Sequence, residues 1–164
     1  MSSAPGRIGL VRLGRLAVVT ALASSVGALA ACKADPTDVE FEVIEDVTFA
    51  SSLNIDLAAM TKLPEGVYIQ DLVTGTGPGL TTGDTAWVYY ELRLKDATPI
   101  GNGVFNYEVP LMGIEGWDIG VEGMRAGSTR IMLIPPELGY AETGQGAVPP
   151  GAILHFRVDL DSIT

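Results

Sequence analysis

The chain has 164 residues with ten Lys+Arg, twenty Asp+Glu, one His and one Cys, and a formal net charge of −10. That length allows one ordinary domain plus a tail, and the acidic balance excludes electrostatic attraction to a phosphate backbone, so no nucleic-acid partner is expected. A single Cys excludes an internal disulfide and a Cys-based zinc site, and a single His leaves little material for a His-paired nucleophile or a multi-His metal site.

The mean hydropathy of +0.30 is high for so acidic a chain, and the excess lies at the N-terminus. Arg7, Arg12 and Arg15 precede an uncharged run from Leu16 to Ala31, the layout of a secretory signal. The run is shorter than the ~20 residues a membrane-spanning helix needs. Leu29-Ala30-Ala31-Cys32 resembles the bacterial lipobox, which implies cleavage before Cys32 and lipidation of its thiol. The competing reading is an uncleaved anchor or a buried apolar helix. Residues 1–31 are therefore expected to be a lipoprotein signal peptide, whose removal takes away three arginines and leaves seven basic against twenty acidic residues, a net of −13. The resemblance implies a domain held at the cell envelope by lipid, in a bacterium with two membranes on the periplasmic face of the outer membrane.

Residues 32–60 read as an acidic tether and N-terminal extension. Asp35, Asp38, Glu40, Glu42, Glu45, Asp46 and Asp56 face only Lys33 in charge, and self-repelling charge keeps a linker extended. Phe41, Val43, Ile44, Val47, Phe49 and Leu53 are too many apolar residues for a pure linker, so part of this stretch is expected to pack on the domain as an edge strand or short helix. The domain itself is placed at 61–164.

From Val67 onward the pattern is mostly period two, the mark of half-buried strands. Val67–Val73 is one candidate, closed by the glycine-rich Thr74–Gly79; without a following Lys-Ser/Thr or helical pattern, that stretch is a loop. From Asp84 to Lys95, Ala86, Val88, Tyr90, Leu92 and Leu94 take one face and Trp87, Tyr89, Glu91, Arg93 and Lys95 the other. Phe105, Tyr107 and Val109 alternate in a short strand, and Thr129, Ile131 and Leu133 share a face of the next. The last strand puts Ala152, Leu154, Phe156, Val158 and Leu160 inward and Ile153, His155, Arg157 and Asp159 outward, so that His155 reads as a solvated surface residue. Ile114, Trp117, Val121 and Met124 instead follow helical spacing. Gly116, Gly120 and Gly123 weaken that helix by up to ~1 kcal/mol each, so packing against the sheet must hold it, and glycine permits close backbone approach. Asp118 near the helix start reads as structural, its carboxylate favouring the dipole. The fold class is α+β, a mostly antiparallel sheet with one short helix across it.

The ordered set Val88-Tyr89-Tyr90, Ile114-Glu-Gly-Trp117-Asp-Ile-Gly120, Met124-Arg-Ala-Gly127, Pro136-Glu-Leu-Gly-Tyr140, Thr143-Gly144, Val148-Pro-Pro150 and Ala152–Leu160 resembles the FKBP-type peptidyl-prolyl cis-trans isomerases over about residues 66–164. The resemblance implies a five- or six-stranded antiparallel half-barrel wrapped over the helix, with a proline pocket between them. It implies catalytic roles for Tyr90, Trp117, Tyr140 and Phe156. Trp117 would form the floor, Tyr90, Phe105 and Phe156 the walls, Ile114 would offer its backbone N–H, Tyr140 its hydroxyl, and Val148 would close the rim. In any unrelated domain the same aromatic residues would be read as core.

The chemistry suits these residue types. Rotating an amide costs ~18–20 kcal/mol because the twisted form loses resonance. A dry aromatic cavity that grips the pyrrolidine ring and replaces the solvation of the carbonyl favours the twisted state over the planar one. No cofactor or metal is required. Where the family has Phe-Asp in the loop after the Tyr90 strand, this chain has Ile100-Gly101. The resemblance assigns a pocket wall to the first position and a carboxylate that helps hold the twisted amide to the second. Ile100 can supply apolar contact to substrate, Gly101 no carboxylate, and Gly113 takes a side chain from the rim. The expected function is a prolyl isomerase assisting exported, proline-containing polypeptides, inhibited by rapamycin-type macrolides and monomeric. The alternative is a proline-peptide binding module or chaperone with weak or no turnover.

Overall fold

The computed structural model describes residues 39–111 and 113–164. The expected signal peptide and Cys32 lie outside the described residues. The elements are β1 (Thr61–Lys62), β2 (Tyr68–Val73), β3 (Thr85–Arg93), β4 (Pro99–Glu108), α1 (Glu115–Val121), β5 (Ser128–Ile134) and β6 (Leu154–Ile163), with short 3-10 turns at Ser51–Leu53, Leu57–Ala59 and Pro136–Leu138. Among the described residues the strands form one six-stranded sheet in the order β1-β2-β5-β6-β3-β4, with every neighbouring pair antiparallel. The α+β reading holds, with six strands.

The alternation of β3 and β6 produces an inner face. Ala86, Val88, Leu92, Leu154, Phe156, Val158 and Leu160 are buried there with Trp117, Val121 and Met124 from the helical segment. The helix is shorter than its apolar spacing suggests: it stops at Val121, and Gly123 turns the chain at φ +72°, a conformation glycine adopts without steric cost. Met124 still packs in the core beyond the last turn.

Two glycines set how closely α1 lies on the sheet. A Cβ on Gly116 would run into Ile134 Cγ2, and one on Gly120 would sit 2.5 Å from Met132 Sδ. The other end of the helix is tied by Arg130, whose side chain is 6 % exposed. Its Nε and Nη2 bond the Asp71 carboxylate at 2.6 and 3.1 Å, and its Nη1 donates to the carbonyls of Gly120 and Glu122 at 2.8 and 3.1 Å. A guanidinium on the terminal carbonyls of a helix satisfies acceptors that the helix cannot, and complements the dipole.

The outer face differs from expectation. Ile153 and His155, read as outward and solvated, are 0 % and 5 % exposed. They do face away from the helix, but a second apolar cluster covers that side: Ile44, Met60, Tyr68, Ile131, Leu133 and Ile153, flanked by Val47, Phe49, Ile55 and Leu57. Part of the expected tether therefore packs on the domain, as 3-10 turns and irregular chain. It is pinned by Glu42 N–H to Gly151 O (2.9 Å), Ala50 N–H to Lys95 O (2.8 Å) and Ile153 N–H to the Glu42 carboxylate (3.1 Å). Glu45 accepts from Lys62 and from the Tyr68 hydroxyl, each at 2.5 Å, and these two donors hold its carboxyl well down, to about 2.

A second correction concerns Ile100-Gly101. This pair lies within β4, with Gly101 opposite Leu92, and not in a loop. The strand starts well before Phe105, but Gly101, Asn102 and Gly103 supply no apolar alternation by which sequence could show it.

Candidate functional site: an aromatic pocket between sheet and helix

The inner face opens into a cavity of about 770 Å³ bordered by β3, β4, β6, the start of α1 and the segment after β5. Tyr90, Phe105, Ile114, Trp117, Tyr140 and Phe156 all line it. Period-two alternation brings Tyr90 and Phe156 to this face, and Ile114 and Trp117 arrive on the buried side of the helix start.

Trp117 lies at the centre of the aromatic cluster and is 2 % exposed. Its ring is 5.2 Å from Phe156, 5.9 Å from Phe105 and 6.0 Å from Tyr90 between centroids. The contacts with Tyr90 and Phe156 are edge-to-face, at 84° and 77°, the arrangement that aligns ring edges with ring faces electrostatically. Its indole N–H donates to the Tyr107 hydroxyl at 3.0 Å. Tyr107 was legible only as one position of an alternating strand. It fixes the indole from below, and burial pushes its hydroxyl up to about 12, so it stays protonated.

Tyr140 is half-buried at the opening. Burial, followed by the neighbouring Tyr90, raises its pKa; among the described residues no side-chain hydrogen bond engages its hydroxyl. Ile114 caps α1 in extended conformation, φ −128° and ψ 117°, and its carbonyl accepts from Trp117 N–H at 3.0 Å. Its own N–H has no backbone partner among the described residues. Asp118 accepts from Leu111 N–H at 2.7 Å, a structural bond that fixes the chain entering the helix.

Two expected contacts lie elsewhere. Val148 is 4 % exposed and packs in the main core, with both backbone groups exchanged with Gln145 at 2.9 and 3.0 Å. That tight turn swings Gln145 to the pocket border instead. Ile100 is partly buried against the same core and does not border the cavity. The lining residues that sequence reading missed are Leu92, Gly103, Val104, Leu111 and Gln145. Gly103 has a geometric reason: a Cβ there would lie 3.2 Å from Tyr90 Cε1, so glycine lets the Tyr90 ring sit over β4. The sequence held no signal for it beyond the glycine itself, since only a glycine known to lie within a strand marks close approach and this stretch shows no strand alternation. Gly113 borders the pocket as a residue without a side chain, and at Gly101 a Cβ would meet nothing within 4 Å.

The comparisons with known proteins agree with this geometry. Residues 77–161 match the family model described as FKBP-type peptidyl-prolyl cis-trans isomerase. The chain is 35% identical over 123 residues to FK506-binding protein 2 of Kluyveromyces lactis, covering 70% of this chain and 81% of that protein. It is 38% identical over 109 residues to the 46 kDa FK506-binding nuclear protein of Spodoptera frugiperda, covering 60% of this chain and 26% of the relative. In three of the curated relatives the match spans only 26%, 50% and 30% of their length. The fold is similar to that of FkpA from Escherichia coli, with a TM-score of 0.62, 24% identity, and coverage of 70% of this chain and 55% of that one. With its motifs in order, its sheet laid over a glycine-bearing helix and its matched region spanning most of the described domain, the chain belongs to the FKBP-type peptidyl-prolyl cis-trans isomerase family.

Proposed function

We propose that the chain is a peptidyl-prolyl cis-trans isomerase anchored by lipid at Cys32, acting on exported, proline-containing polypeptides at the cell envelope. The observation that carries the reading is the closed aromatic cluster around Trp117, open to solvent on one side beside two uncommitted donors. The pyrrolidine ring of the substrate enters between Tyr90, Phe105, Trp117 and Phe156. The Ile114 N–H and the Tyr140 hydroxyl donate to substrate carbonyls, replacing water as the amide twists. Twisting makes the nitrogen more amine-like and lowers the need of its carbonyl for hydration, so an apolar wall and fixed donors favour it over either planar isomer. X-Pro starts with cis and trans nearly degenerate, and each ~1.4 kcal/mol of preference for the twisted state raises the rate tenfold. The reaction makes and breaks no covalent bond.

The test is isomerisation of a short X-Pro peptide by the full-length chain in mild detergent, with and without a rapamycin-type macrolide. Acceleration abolished by the macrolide is expected. A folded chain that binds the macrolide but gives no acceleration overturns the enzyme reading and leaves a proline-binding module. The specific observation favouring that second reading is Gly101, which lies on the same strand face as Phe105 and bears no carboxylate. Because a side chain at 101 has open space, Gly101→Asp is the variant that separates the two: it raises turnover if the carboxylate is what the site lacks. Anchoring is tested by radiolabelled lipid incorporation, expected in the wild type and absent in Cys32→Ser.

A further inference from the structure

The sheet has two unlike edges. β1 is two residues long and carries Lys62, a short and charged edge of the kind that discourages added strands. β4 runs ten residues, contains no Lys or Arg, has its only proline at the first position, and keeps unbroken register with β3 from Glu108 to Gly101. Its one charge is Glu108, at the far end.

The pairing fixes which backbone groups this edge offers. Val109 N–H donates to Asp84 O at 3.0 Å, flanking the Thr85–Glu108 pair. Alternation along the antiparallel ladder then turns Gly101, Gly103, Phe105 and Tyr107 toward β3, and leaves the N–H and C=O of Asn102, Val104, Asn106 and Glu108 pointing away. Among the described residues, nothing but β3 makes a backbone hydrogen bond to residues 99–108.

This edge runs along the pocket. Gly103, Val104 and Phe105 line the aromatic cavity, and Val104 also borders a shallow cavity on the opposite side with Trp87 and Tyr89. Val104 is 70 % exposed and Trp87 44 %. Tyr89 is the cross-strand partner of Val104, and Trp87 that of Asn106, so the three apolar side chains form a patch on the outer face of β3 and β4, beside the free edge.

We propose that β4 is a docking strand for the client chain: residues flanking the bound proline pair with β4 as an added antiparallel or parallel strand. The proposal rests on the pocket being the proline site. Continuity with the pocket and free backbone groups select an extended polypeptide, since a folded protein has already paired its own. The exposed Val104–Tyr89–Trp87 patch favours β-branched or aromatic flanks, and the net charge of −10 disfavours acidic ones. The edge therefore distinguishes unfolded clients from prolines on folded surfaces.

The experiment compares a four-residue X-Pro peptide with one extended by six Val/Thr/Tyr-rich residues, using the full-length chain in mild detergent. The long peptide is expected to have a kcat/KM or affinity about tenfold better. Asn106→Pro removes an outward N–H that the fold does not use, at a residue outside the pocket, and is expected to abolish that gain while leaving the short peptide unchanged. Should Asn106→Pro fail to fold, N-methylation of the long peptide at successive flank residues on wild-type protein replaces it, with losses expected at every second position. Equal gain in folded Asn106→Pro, or losses without the two-residue period, overturns the proposal. Edge-driven dimerisation seen by analytical ultracentrifugation and abolished by Asn106→Pro also overturns it, assigning the edge to a second copy. Binding of the long peptide is read independently from amide shifts at Val104 and Asn106, so absent turnover of the short peptide sinks the isomerase reading without deciding this one.

Discussion

The two faces of the sheet are built from the same strands and do different work. On the inner face, β3 and β6 present Tyr90 and Phe156 to a helix held close by Gly116 and Gly120, and the packing stops short of closure, leaving the aromatic cavity. On the outer face, Ile131, Leu133 and Ile153 are covered by Ile44 and its neighbours from the N-terminal extension. Apolar side chains on both faces of one strand read as a continuous run, which is what Ile131-Met132-Leu133-Ile134 shows. The lesson is that an acidic extension can cover an apolar sheet face, with Glu42 and Glu45 among its carboxylates bonded to the domain.

Truncation on each side breaks the comparison in opposite ways. Trp117→Ala is expected to cost about 3–5 kcal/mol by denaturant unfolding, because it empties the centre of the inner core, and to lose isomerase activity with it. Ile44→Ala is expected to cost about 2–4 kcal/mol while folded protein keeps wild-type kcat/KM on a short X-Pro peptide. A drop in activity per folded molecule for Ile44→Ala would show that the two faces are coupled.

The outer face also carries a pH signature. Among the described residues, neither ring nitrogen of His155 has a hydrogen-bond partner, and burial lowers its pKa to about 4, opposed first by its own backbone and then, more weakly, by Glu91, and reinforced by the nearby Arg93. The folded state thus holds the neutral form, and between about pH 4 and 6.5 the unfolded chain binds the extra proton. Stability is complete above pH 6.5 and falls as pH drops toward 4, by a total on the order of 3 kcal/mol. Unfolding midpoints across that window should show the slope in wild type and a flatter profile in His155→Leu.

The smallest effect on stability is expected at the pocket mouth. Tyr140→Phe should change unfolding free energy by less than about 0.5 kcal/mol, because its hydroxyl engages no side chain among the described residues, yet lower kcat/KM about tenfold through loss of one donated hydrogen bond. Wild-type kinetics in that variant would remove Tyr140 from the site.

Much of the inner face was legible beforehand. Tyr90 and Phe156 fall on inward sets by period-two alternation alone, and Ile114 and Trp117 on one helical face. Local spacing dictates both, because backbone geometry fixes where successive side chains point. The ordered motifs likewise sufficed for the family. The outer face was illegible for the complementary reason: alternation says which residues share a side, not what lies over it. His155 and Ile153 were placed on the correct side and given the wrong environment, since their cover comes from residues about a hundred positions earlier in the chain. The Tyr107–Trp117 hydrogen bond, the close approach of Gly103 to Tyr90, the place of Gln145 at the pocket border instead of Val148 and the free edge of β4 share that origin. Each depends on where segments distant in sequence come to rest against one another. Sequence determined which residues face inward and which family they belong to; tertiary packing decided which faces are covered, which edge is open and which donors stay uncommitted.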